Sequence, residues 1–586
     1  MRILVIAAVL VPCLARAQRR PDPPEVLALR AQEQDAIAQL ERIARGYLWP
    51  QTDAEFRAAS SQLNDAVLTG VSRRRFMDFE EILRRGKPGY PDVAAQTDGT
   101  FALQEFTVPI PAGPAVPLLV QLPPGYTPAK TWPLIWAMHG GPPSRADQIR
   151  GSAERIIRVW SEAAARAGWI VAAPGLTPSL TADGRSEKRL PYEVLHPEQA
   201  DTVIQALRAR YHINPDRIVS TGISLGSNYS LHFAIARPGW FSAIVPVSTE
   251  GESRELPLRN LQSTPVYILE GARDPNIWSI EGPRALANIL TGFHYDQTYR
   301  EFPGRGHEGF EEHYDDVLRW LELRPRDNYP REVLRVPHSA ITPVGRRVRW
   351  LETDTREGVA DAEVTSSSRI SVTALWTREI TLYLHDRLVD LDKPIEVWIN
   401  GTKAFAGAVP RSIATALEEA RSLADERRIY AAKLRLKVPA GTEALQAGRK
   451  LWTDLQPRQP ELTLSFWERF AVGALEERFP SVGIEGTEVA MPSGLPAVPT
   501  QTAIRVTRVQ TDGPFAASGL RAGDLIIEVA GEPFFRDKSG LAGLRQWLMR
   551  ELRVEPLSFP LLVWRDGQSL TLNAVLKLGP YATSNR

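Results

Sequence analysis

A serine between two glycines is the residue of this chain best placed to act as a nucleophile. Gly222–Gly226 reads Gly-Ile-Ser-Leu-Gly; it follows the apolar run Arg217–Thr221 and precedes small and apolar residues that are typical of a helix. On such a strand-to-helix turn the backbone of Ser224 is strained, and only flanking glycines leave room for it. The exposed hydroxyl could attack a carbonyl carbon, provided that a base removes its proton.

The base and its supporting acid are predicted from the order of the elements after the serine. Val266–Glu270 is an apolar strand candidate, and Asp274 follows it closely. His307 comes after the next strand candidate, Thr298–Phe302, behind small residues. In this order of Ser, Asp and His, His307 would accept the proton of Ser224 and pass it to the leaving group. Asp274 would orient the imidazole and stabilise its cation.

Two other carboxylates are alternatives to Asp274. Glu270 ends the same strand candidate and Asp296 precedes the next one. Two histidines outside the pattern are expected to be structural, with His139 orienting its loop and His313 on a solvated helix. No spacing of His or Cys residues indicates a metal site, and the sequence gives no sign of a cofactor.

A glycine-rich loop supplies candidates for stabilising the negative charge on the carbonyl oxygen. His139–Pro142 reads His-Gly-Gly-Pro and follows the strand candidate Trp132–Met138. The backbone N–H groups of Gly140 or Gly141, together with that of Leu225, are the expected oxyanion donors. One such donor lowers the barrier by about 3 kcal/mol.

The elements that carry these residues alternate between strands and helices from about residue 100 to about residue 325. Alternation at this spacing predicts an α/β fold with a doubly wound, largely parallel sheet and helices on both faces. Ligands bind such sheets beyond the carboxyl ends of the strands. The helix candidates are Ala153–Ala167 and Glu198–Tyr211, and the further strand candidates are Pro117–Leu122, Trp169–Ala173 and Ala243–Val247.

This region resembles the secreted α/β-hydrolase esterases related to polyhydroxybutyrate depolymerase and feruloyl esterase, and more distantly the catalytic domain of prolyl oligopeptidase. The turn Gly222–Gly226, its approach Pro215–Ile218 and the following Phe241–Val247 carry the likeness. The resemblance implies an α/β-hydrolase fold and a serine hydrolase that cleaves a carboxylic ester through an acyl-enzyme. A serine peptidase of the prolyl-oligopeptidase type is the alternative. The chain departs from these relatives at Ser227-Asn228, where they often have a further glycine, and no propeller precedes the region.

The last block of the chain resembles a PDZ domain. Gly513–Gly531, which reads GPFAASGLRAGDLIIEVAG, and the strand–turn–strand pattern Leu561–Leu572 carry the likeness. The resemblance implies capture of a peptide C-terminus, with the peptide added as a strand at the sheet edge. The backbone N–H groups expected to hold its carboxylate are those of Val482, Gly483 and Ile484. Packing within the chain, without a ligand, is an equal alternative.

The N-terminus is typical of a cleavable secretory signal. Arg2 precedes the apolar run Ile3–Leu14, and Ala15–Ala17 fits the small-x-small cleavage rule. The apolar run is too short to span a bilayer. A lipid anchor on Cys13, the one cysteine of the chain, is the alternative, although Pro12 suits a lipobox poorly. We expect a periplasmic or secreted protein.

The charge balance gives no electrostatic case for nucleic acid or an anionic membrane as the main partner. The 586 residues have a formal net charge of +1, from 70 basic and 69 acidic side chains. The expected partners are an ester or peptide substrate and a peptide C-terminus at the PDZ block. A non-catalytic binding or scaffold protein is the alternative from another functional class.

The pattern along the chain predicts six segments. They are a signal peptide (1–17), a helical N-terminal domain (18–95), an α/β-hydrolase catalytic domain (96–328), a small β-rich domain (335–440), a connector (441–480) and a PDZ domain (481–580). Asp327–Pro330 and Pro337 are expected to form the exit linker of the hydrolase segment.

Overall fold

The structure of the protein is a computed structural model. It describes residues 24–64, 68–87, 89–91, 102–110, 115–141, 149–175, 197–252, 255–274, 281–337, 344–455, 484–490, 502–509, 511, 515, 517–529, 532–533 and 557–576. The predicted signal peptide and the carboxylate-binding residues Val482 and Gly483 lie outside these ranges.

The α-helices of the described residues lie before residue 456. They are α1 (Pro24–Leu48), α2 (Asp53–Gln62), α3 (Arg73–Arg84), α4 (Ile149–Ala167), α5 (Pro197–Arg210), α6 (Leu225–Ala236), α7 (Glu255–Leu258), α8 (Glu281–Gly292), α9 (Tyr314–Glu322), α10 (Ile413–Ser422) and α11 (Thr442–Leu455).

An eight-stranded sheet organises the hydrolase segment. Its strands are β1 (Ala102–Val108), β2 (Val116–Leu122), β3 (Trp132–Met138), β4 (Ile170–Pro174), β5 (Ile213–Ile223), β6 (Ala243–Val247), β7 (Val266–Gly271) and β8 (Gln297–Phe302). Their order in the sheet is β1-β2-β4-β3-β5-β6-β7-β8. Strand β2 is antiparallel to both of its neighbours, and the remaining pairs are parallel. The predicted α/β-hydrolase fold is therefore confirmed.

Side chains that alternate along the strands enter two cores, one on each face of the sheet. Leu118 and Val120 of β2 join the core that contains Tyr211, whereas Leu119 joins the core that contains Trp160. Because both faces are covered, the central strands are apolar throughout rather than alternating. The sheet is thus doubly wound, as the sequence predicts.

Two smaller sheets follow in the β-rich segment. Their strands are β9 (Glu332–Arg335), β10 (Arg347–Val348), β11 (Leu351–Thr353), β12 (Val359–Ser366), β13 (Arg369–Leu375), β14 (Glu379–Leu384), β15 (Ile395–Ile399), β16 (Thr402–Gly407) and β17 (Ala432–Lys437). One sheet has the order β10-β11-β14-β17 and the other β16-β15-β13-β12-β9. The segment is therefore rich in strands, as expected.

The N-terminal helices and the β-rich segment share one hydrophobic core. Phe76 and Phe79 of α3 are buried together with Ile380 of β14 and Leu417 of α10. A buried hydrogen bond of 2.7 Å joins Glu80 of α3 to Nε2 of His385, just after β14. Since these partners are some 300 residues apart, the hydrolase segment is inserted between two parts of a single packed unit.

The expected exit linker is not a linker. Tyr329 is stacked on His385, and its hydroxyl donates a hydrogen bond of 2.7 Å to Ile429 O. Glu332–Arg335 then forms strand β9, and Val336 exchanges two hydrogen bonds with the side chain of Asn260. This prediction was wrong because Tyr329 and Val336 hydrogen-bond to specific buried partners, whereas the residues of a linker would be solvated.

A buried cluster of charges joins the hydrolase segment to the β-rich segment. Asp425, after α10, accepts hydrogen bonds from both terminal nitrogens of Arg326, and Arg326 also pairs with Asp216. Arg428 donates to the carbonyl of Gly239 in the hydrolase segment. Burial would raise the pKa of Asp425, but the neighbouring Arg326, Arg428 and Arg208 hold it well below its ordinary value. The carboxylate is therefore charged and compensates several buried cations.

We expect Asp425→Asn to lower the free energy of unfolding by about 3–5 kcal/mol at pH 7, because it leaves buried guanidinium groups without their counter-charge. Asp454→Asn, in the exposed Lys450 pair of α11, is the control and is expected to cost at most about 0.5 kcal/mol. Urea unfolding followed by tryptophan fluorescence measures both.

Because the pKa of Asp425 is depressed in the folded protein, its contribution is present above its ordinary value of about 3.9 and is lost as the pH falls below it. The difference between wild type and Asp425→Asn should therefore shrink in strongly acidic buffer. A loss no greater than that of Asp454→Asn would contradict this account of the interface.

Candidate active site

The turn between β5 and α6 presents Ser224 in a strained backbone conformation. Its φ of 58° and ψ of −124° lie outside the helical and extended regions, and α6 begins at the next residue. Its N–H donates to Val247 O of β6 at 2.9 Å, and its carbonyl accepts from Ser227 N–H at 2.9 Å. Bonds from a neighbouring strand and from the helix thus hold the strained residue in place.

Glycines at this turn allow backbone contacts that no side chain would permit. A Cβ on Gly222 would lie 2.2 Å from Gly226 C, and one on Gly226 would lie 2.1 Å from Met138 O. A Cβ on Gly140 would lie 2.9 Å from Ile223 O. The backbone of the turn after β5 is therefore packed directly against the backbone of the loop after β3. An oxyanion loop has to lie this close to the serine.

Asp274 and His307 meet at the carboxyl ends of β7 and β8. Oδ2 of Asp274 lies 2.6 Å from Nδ1 of His307, and the Asp274 side chain is fully buried while that of His307 is one-fifth exposed. The two loops approach closely because Gly271 has no side chain: a Cβ there would lie 2.2 Å from Gly306 O. With Nδ1 engaged, Nε2 is the ring nitrogen left for another partner.

Ser224 and His307 line one cavity of about 860 Å³. Gly140 and Gly141 line it as well, and α4 forms its far wall, through residues that include Arg155 and Val159. The structure thus brings the predicted nucleophile, base and oxyanion loop to one cleft at the carboxyl edge of the sheet.

The predicted oxyanion donors come from two elements. Gly141 has a φ of +53°, which favours glycine, and lies in the cavity wall with Gly140. Leu225 is the first residue of α6, so its N–H belongs to the helix turn that lacks intrahelical acceptors. His139 is buried, its Nδ1 lies 3.3 Å from Gly140 O, and burial lowers its pKa. The imidazole of His139 is therefore neutral and supports the loop.

The two alternative acids occupy different places. Asp296 precedes β8, whereas His307 follows it, so the two residues lie at opposite ends of this strand. The Asp296 carboxylate forms a salt bridge of 2.7 Å with Arg324. Glu270 is buried near the end of β7, and its carboxylate accepts hydrogen bonds from Thr249 N–H at 2.9 Å and Gly271 N–H at 3.2 Å. The structure therefore brings Asp274, and neither alternative, into contact with His307.

Sequence reasoning missed the residues that brace the histidine loop. The hydroxyl of Ser248, after β6, donates to Glu308 O at 2.8 Å and accepts from Glu308 N–H at 3.2 Å. The Glu308 carboxylate binds Arg305 Nε at 2.8 Å and Gly306 N–H at 3.1 Å. Ser248 has a φ of 46°, and this conformation is invisible in the sequence.

The C-terminal block contains a further sheet. Its strands are β18 (Ile484–Ala490), β19 (Thr502–Val509), β20 (Leu525–Val529), β21 (Glu532–Pro533), β22 (Leu557–Arg565) and β23 (Gln568–Leu576). Asp524, before β20, is buried and accepts hydrogen bonds from Arg565 Nε at 2.7 Å and Arg521 N–H at 2.7 Å. Of the residues predicted to bind a carboxylate, Ile484 is described, and its side chain is buried.

No group of three or more His, Cys, Asp or Glu residues in the described ranges could hold a metal ion. Within the same ranges, no helix combines the length and the hydropathy needed to cross a bilayer.

These observations define an α/β-hydrolase fold, followed in the sequence by a C-terminal PDZ domain. Residues 505–550 match the family model described as PDZ domain. Acyl-protein thioesterase 1 of Gibberella zeae is 29% identical to this chain over 123 residues, which are 20% of the chain and 52% of that protein. The chain thus spans about half the length of this curated relative.

Solved structures that match part of this chain include esterases and a peptidase. A thermostable esterase is 24% identical, with a TM-score of 0.32 over 38% of this chain and 63% of its own. S-formylglutathione hydrolase of Agrobacterium tumefaciens is 15% identical, with a TM-score of 0.32 over 40% and 99%. Dipeptidyl peptidase 4 of Porphyromonas gingivalis is 14% identical, with a TM-score of 0.31 over 38% and 36%. The assignment of the fold rests on the strand order given above.

We expect Gly226→Ala to cost about 1–3 kcal/mol of folding free energy, because its Cβ collides with the carbonyl of Met138 and neither backbone can move cheaply. Gly292→Ala at the end of α8 is the matched control, since nothing lies within 4 Å of a Cβ there. Thermal unfolding of the three proteins tests this difference, and equal melting temperatures would contradict the packing described.

Proposed function

We propose that this protein is a serine hydrolase that cleaves carboxylic esters through an acyl-enzyme, with Ser224 as nucleophile, His307 as base and Asp274 as the supporting acid. The observation that carries the proposal is the 2.6 Å contact between Asp274 Oδ2 and His307 Nδ1, beside a cavity that Ser224 and His307 line together. The strained serine turn is the second support.

Acylation begins when Nε2 of His307 takes the proton of the Ser224 hydroxyl. Oγ then attacks the carbonyl carbon of the ester, and the C=O electrons move onto its oxygen. The N–H groups of Gly140 or Gly141 and of Leu225 stabilise this oxyanion. When the tetrahedral intermediate collapses, the imidazolium gives its proton to the departing alkoxide and the acyl group stays on Oγ.

Deacylation repeats the sequence with water in place of the serine. His307 removes a proton from water, the hydroxide attacks the acyl carbon, and Oγ leaves with the proton from Nε2. In both halves the Asp274 carboxylate faces Nδ1, so it stabilises the imidazolium and fixes the tautomer that can act as base. Its full burial keeps this interaction strong, because water does not screen it.

Esters are favoured over amides as substrates, and thioesters belong in the same comparison because a partial relative is an acyl-protein thioesterase. A serine peptidase is the alternative substrate class, and a non-catalytic scaffold is the alternative functional class. The N-terminal sequence further supports the proposal that the protein acts in the periplasm or outside the cell, after cleavage behind Ala17.

We expect a fluorophosphonate probe to label the wild-type protein and to leave Ser224→Ala unlabelled, because the probe reacts with a serine activated by a base. His307→Ala and Asp274→Asn should each lower turnover of p-nitrophenyl acetate by orders of magnitude. Ser227→Ala, which removes a neighbouring hydroxyl of α6, is the control that keeps its label. Absence of labelling in the wild type would favour the scaffold, and near-full activity of Asp274→Asn would show that another acid supports His307.

A second role is supported by the match of residues 505–550 to the PDZ family. We propose that this block binds a peptide C-terminus, which belongs to a substrate or to a partner protein. Binding would bring that molecule to the hydrolase segment. Among the described strands of its sheet, β18 and β23 stand at the two edges, and such a peptide would extend an edge of this kind.

We expect the full-length Ser224→Ala protein to bind fluorescent peptides with an apolar C-terminal residue and a free carboxylate. The same peptides with a C-terminal amide should bind at least about tenfold more weakly, since they lose the charge-assisted bonds to backbone N–H groups. Fluorescence anisotropy measures both series. Equal affinities, or no binding of either series, would favour a packing role for this block.

A further inference from the structure

One face of α4 lines the cavity that also contains Ser224. Its lining residues Ser152, Arg155, Ile156 and Val159 recur at intervals of three and four, so they lie on the same side of the helix. Ser152 and Ile156 are buried, Val159 is partly buried, and Arg155 is exposed. The helix therefore offers apolar surface and one guanidinium group to a molecule that enters the cavity.

Arg155 differs from the other arginines of α4 in its partners. Those three each form a salt bridge with a carboxylate, Arg150 and Arg158 with Glu154 and Arg166 with Asp315. No salt bridge among the described residues involves Arg155, and its Nη2 lies 3.5 Å from Ser152 Oγ, at the limit for a hydrogen bond. A guanidinium has five N–H donors, so most of those of Arg155 remain for a ligand.

The charges in the described lining of the cavity do not cancel. Apart from two histidines, the charged side chains there are Glu154, Arg155 and Arg158. Hydrogen bonds from Arg158 and Arg150 hold the pKa of Glu154 below its ordinary value, so this carboxylate is ionised and already has two cationic partners. The positive charge without a counter-charge in this lining is therefore that of Arg155.

The cavity is much larger than the acyl group of an acetate ester requires. Its volume of about 860 Å³ is in the range of pockets that enclose drug-sized ligands. Val159 and Ile223 contribute apolar surface to the same lining. Such a lining suits a hydrocarbon chain, while the planar guanidinium suits a carboxylate, which can accept two parallel N–H bonds from it.

We propose that Arg155 is a specificity-determining residue, which binds a carboxylate that the ester substrate carries at a distance from the scissile bond. The proposal rests on the proposed function of Ser224, His307 and Asp274. The substrates that fit are half-esters of dicarboxylic acids, with the charge on the acyl part, and esters of carboxylated alcohols or phenols, with the charge on the leaving group.

The exposure of Arg155 limits the size of the effect. Fully solvated ion pairs contribute little, whereas a hydrogen bond to a charged group inside a protected cleft contributes more. For a guanidinium on the wall of an open cavity we expect a preference of about tenfold for the anionic ester, between these two limits. Added salt should reduce this preference, because mobile ions screen exposed charges.

The first test compares an anionic ester with its neutral counterpart, the mono-4-nitrophenyl ester of pimelic acid and the methyl ester of that compound. The ratio of their kcat/KM values should be about tenfold lower in Arg155→Gln than in wild type. Arg155→Lys should regain part of the ratio, because an ammonium group keeps the charge and lacks the planar pair of donors.

A second pair of substrates places the charge on the leaving group. It consists of the acetate esters of 4-hydroxybenzoic acid and of methyl 4-hydroxybenzoate. If the ratio falls in one pair, that pair identifies the part of the substrate that reaches Arg155. Ratios that Arg155→Gln leaves unchanged in both pairs would overturn the proposal.

Arg158→Gln is the matched control, because it removes the same charge from the same helix and the same cavity. Its partner Glu154 keeps Arg150, and the ratios should stay within about twofold of wild type. A fall as large as that in Arg155→Gln would show that the preference comes from the overall charge of the wall, and would overturn the assignment to Arg155. Since the side chain of Arg155 is exposed, its variants should melt at the wild-type temperature.

The last test needs no turnover. Titrations followed by saturation-transfer NMR measure the binding of monoethyl pimelate and diethyl pimelate to Ser224→Ala, with and without Arg155→Gln. The half-ester should bind about tenfold more weakly when Arg155 is replaced, whereas the neutral diester should not. Equal binding of the half-ester to both proteins would overturn the proposal.

These measurements separate the failure of this inference from the failure of the proposed function. If the half-ester binds through Arg155 but wild type cleaves no ester and takes no fluorophosphonate label, the carboxylate site stands and the hydrolase function fails. If wild type cleaves esters and Arg155→Gln changes neither the ratios nor the binding, the hydrolase function stands and the carboxylate site fails.

Discussion

Backbone-to-backbone contact at glycine is the constraint on which the edge of the sheet that carries Ser224, Asp274 and His307 depends. The serine turn touches the loop after β3 at Gly226 and Gly140, and the acid loop touches the histidine loop at Gly271, each at distances that a Cβ would forbid. Four loops that follow four different strands can converge only because these positions carry no side chain. The strained backbone of Ser224 is then held by bonds from its neighbours on both sides, to Val247 and within α6.

Much of this edge could be predicted from the sequence, because its signals are local. Trp132–Met138 and Ala243–Val247 are strands with the expected bounds, and the order of serine, aspartate and histidine along the chain placed all three at one edge. Strand β1 escaped prediction: it is an edge strand whose residues Gln104, Glu105 and Thr107 face solvent in part or in full, so it lacks the continuous apolar pattern of its neighbours.

What could not be predicted depends on contacts between distant residues. The pattern of Arg347–Leu351 predicts one strand, yet the segment is divided between β10 and β11. The division occurs at Arg349, which has a φ of 52°. Its guanidinium donates hydrogen bonds to Gly239 and Ser263 of the hydrolase segment. The same holds for the two hydrogen bonds between Ser248 and Glu308, which brace the histidine loop. Residue spacing carries no record of such contacts.

The core shared by α3 and the β-rich segment has a consequence for biosynthesis. A ribosome releases the chain from its N-terminus, so Phe76 and Phe79 emerge long before Ile380 and Leu417, the residues that cover them. The early helices must wait with an apolar face uncovered while some 300 residues of intervening chain are made. In a fragment truncated after the hydrolase segment, this apolar face would stay exposed to solvent. Such a fragment should aggregate or bind chaperones even if the eight-stranded sheet forms.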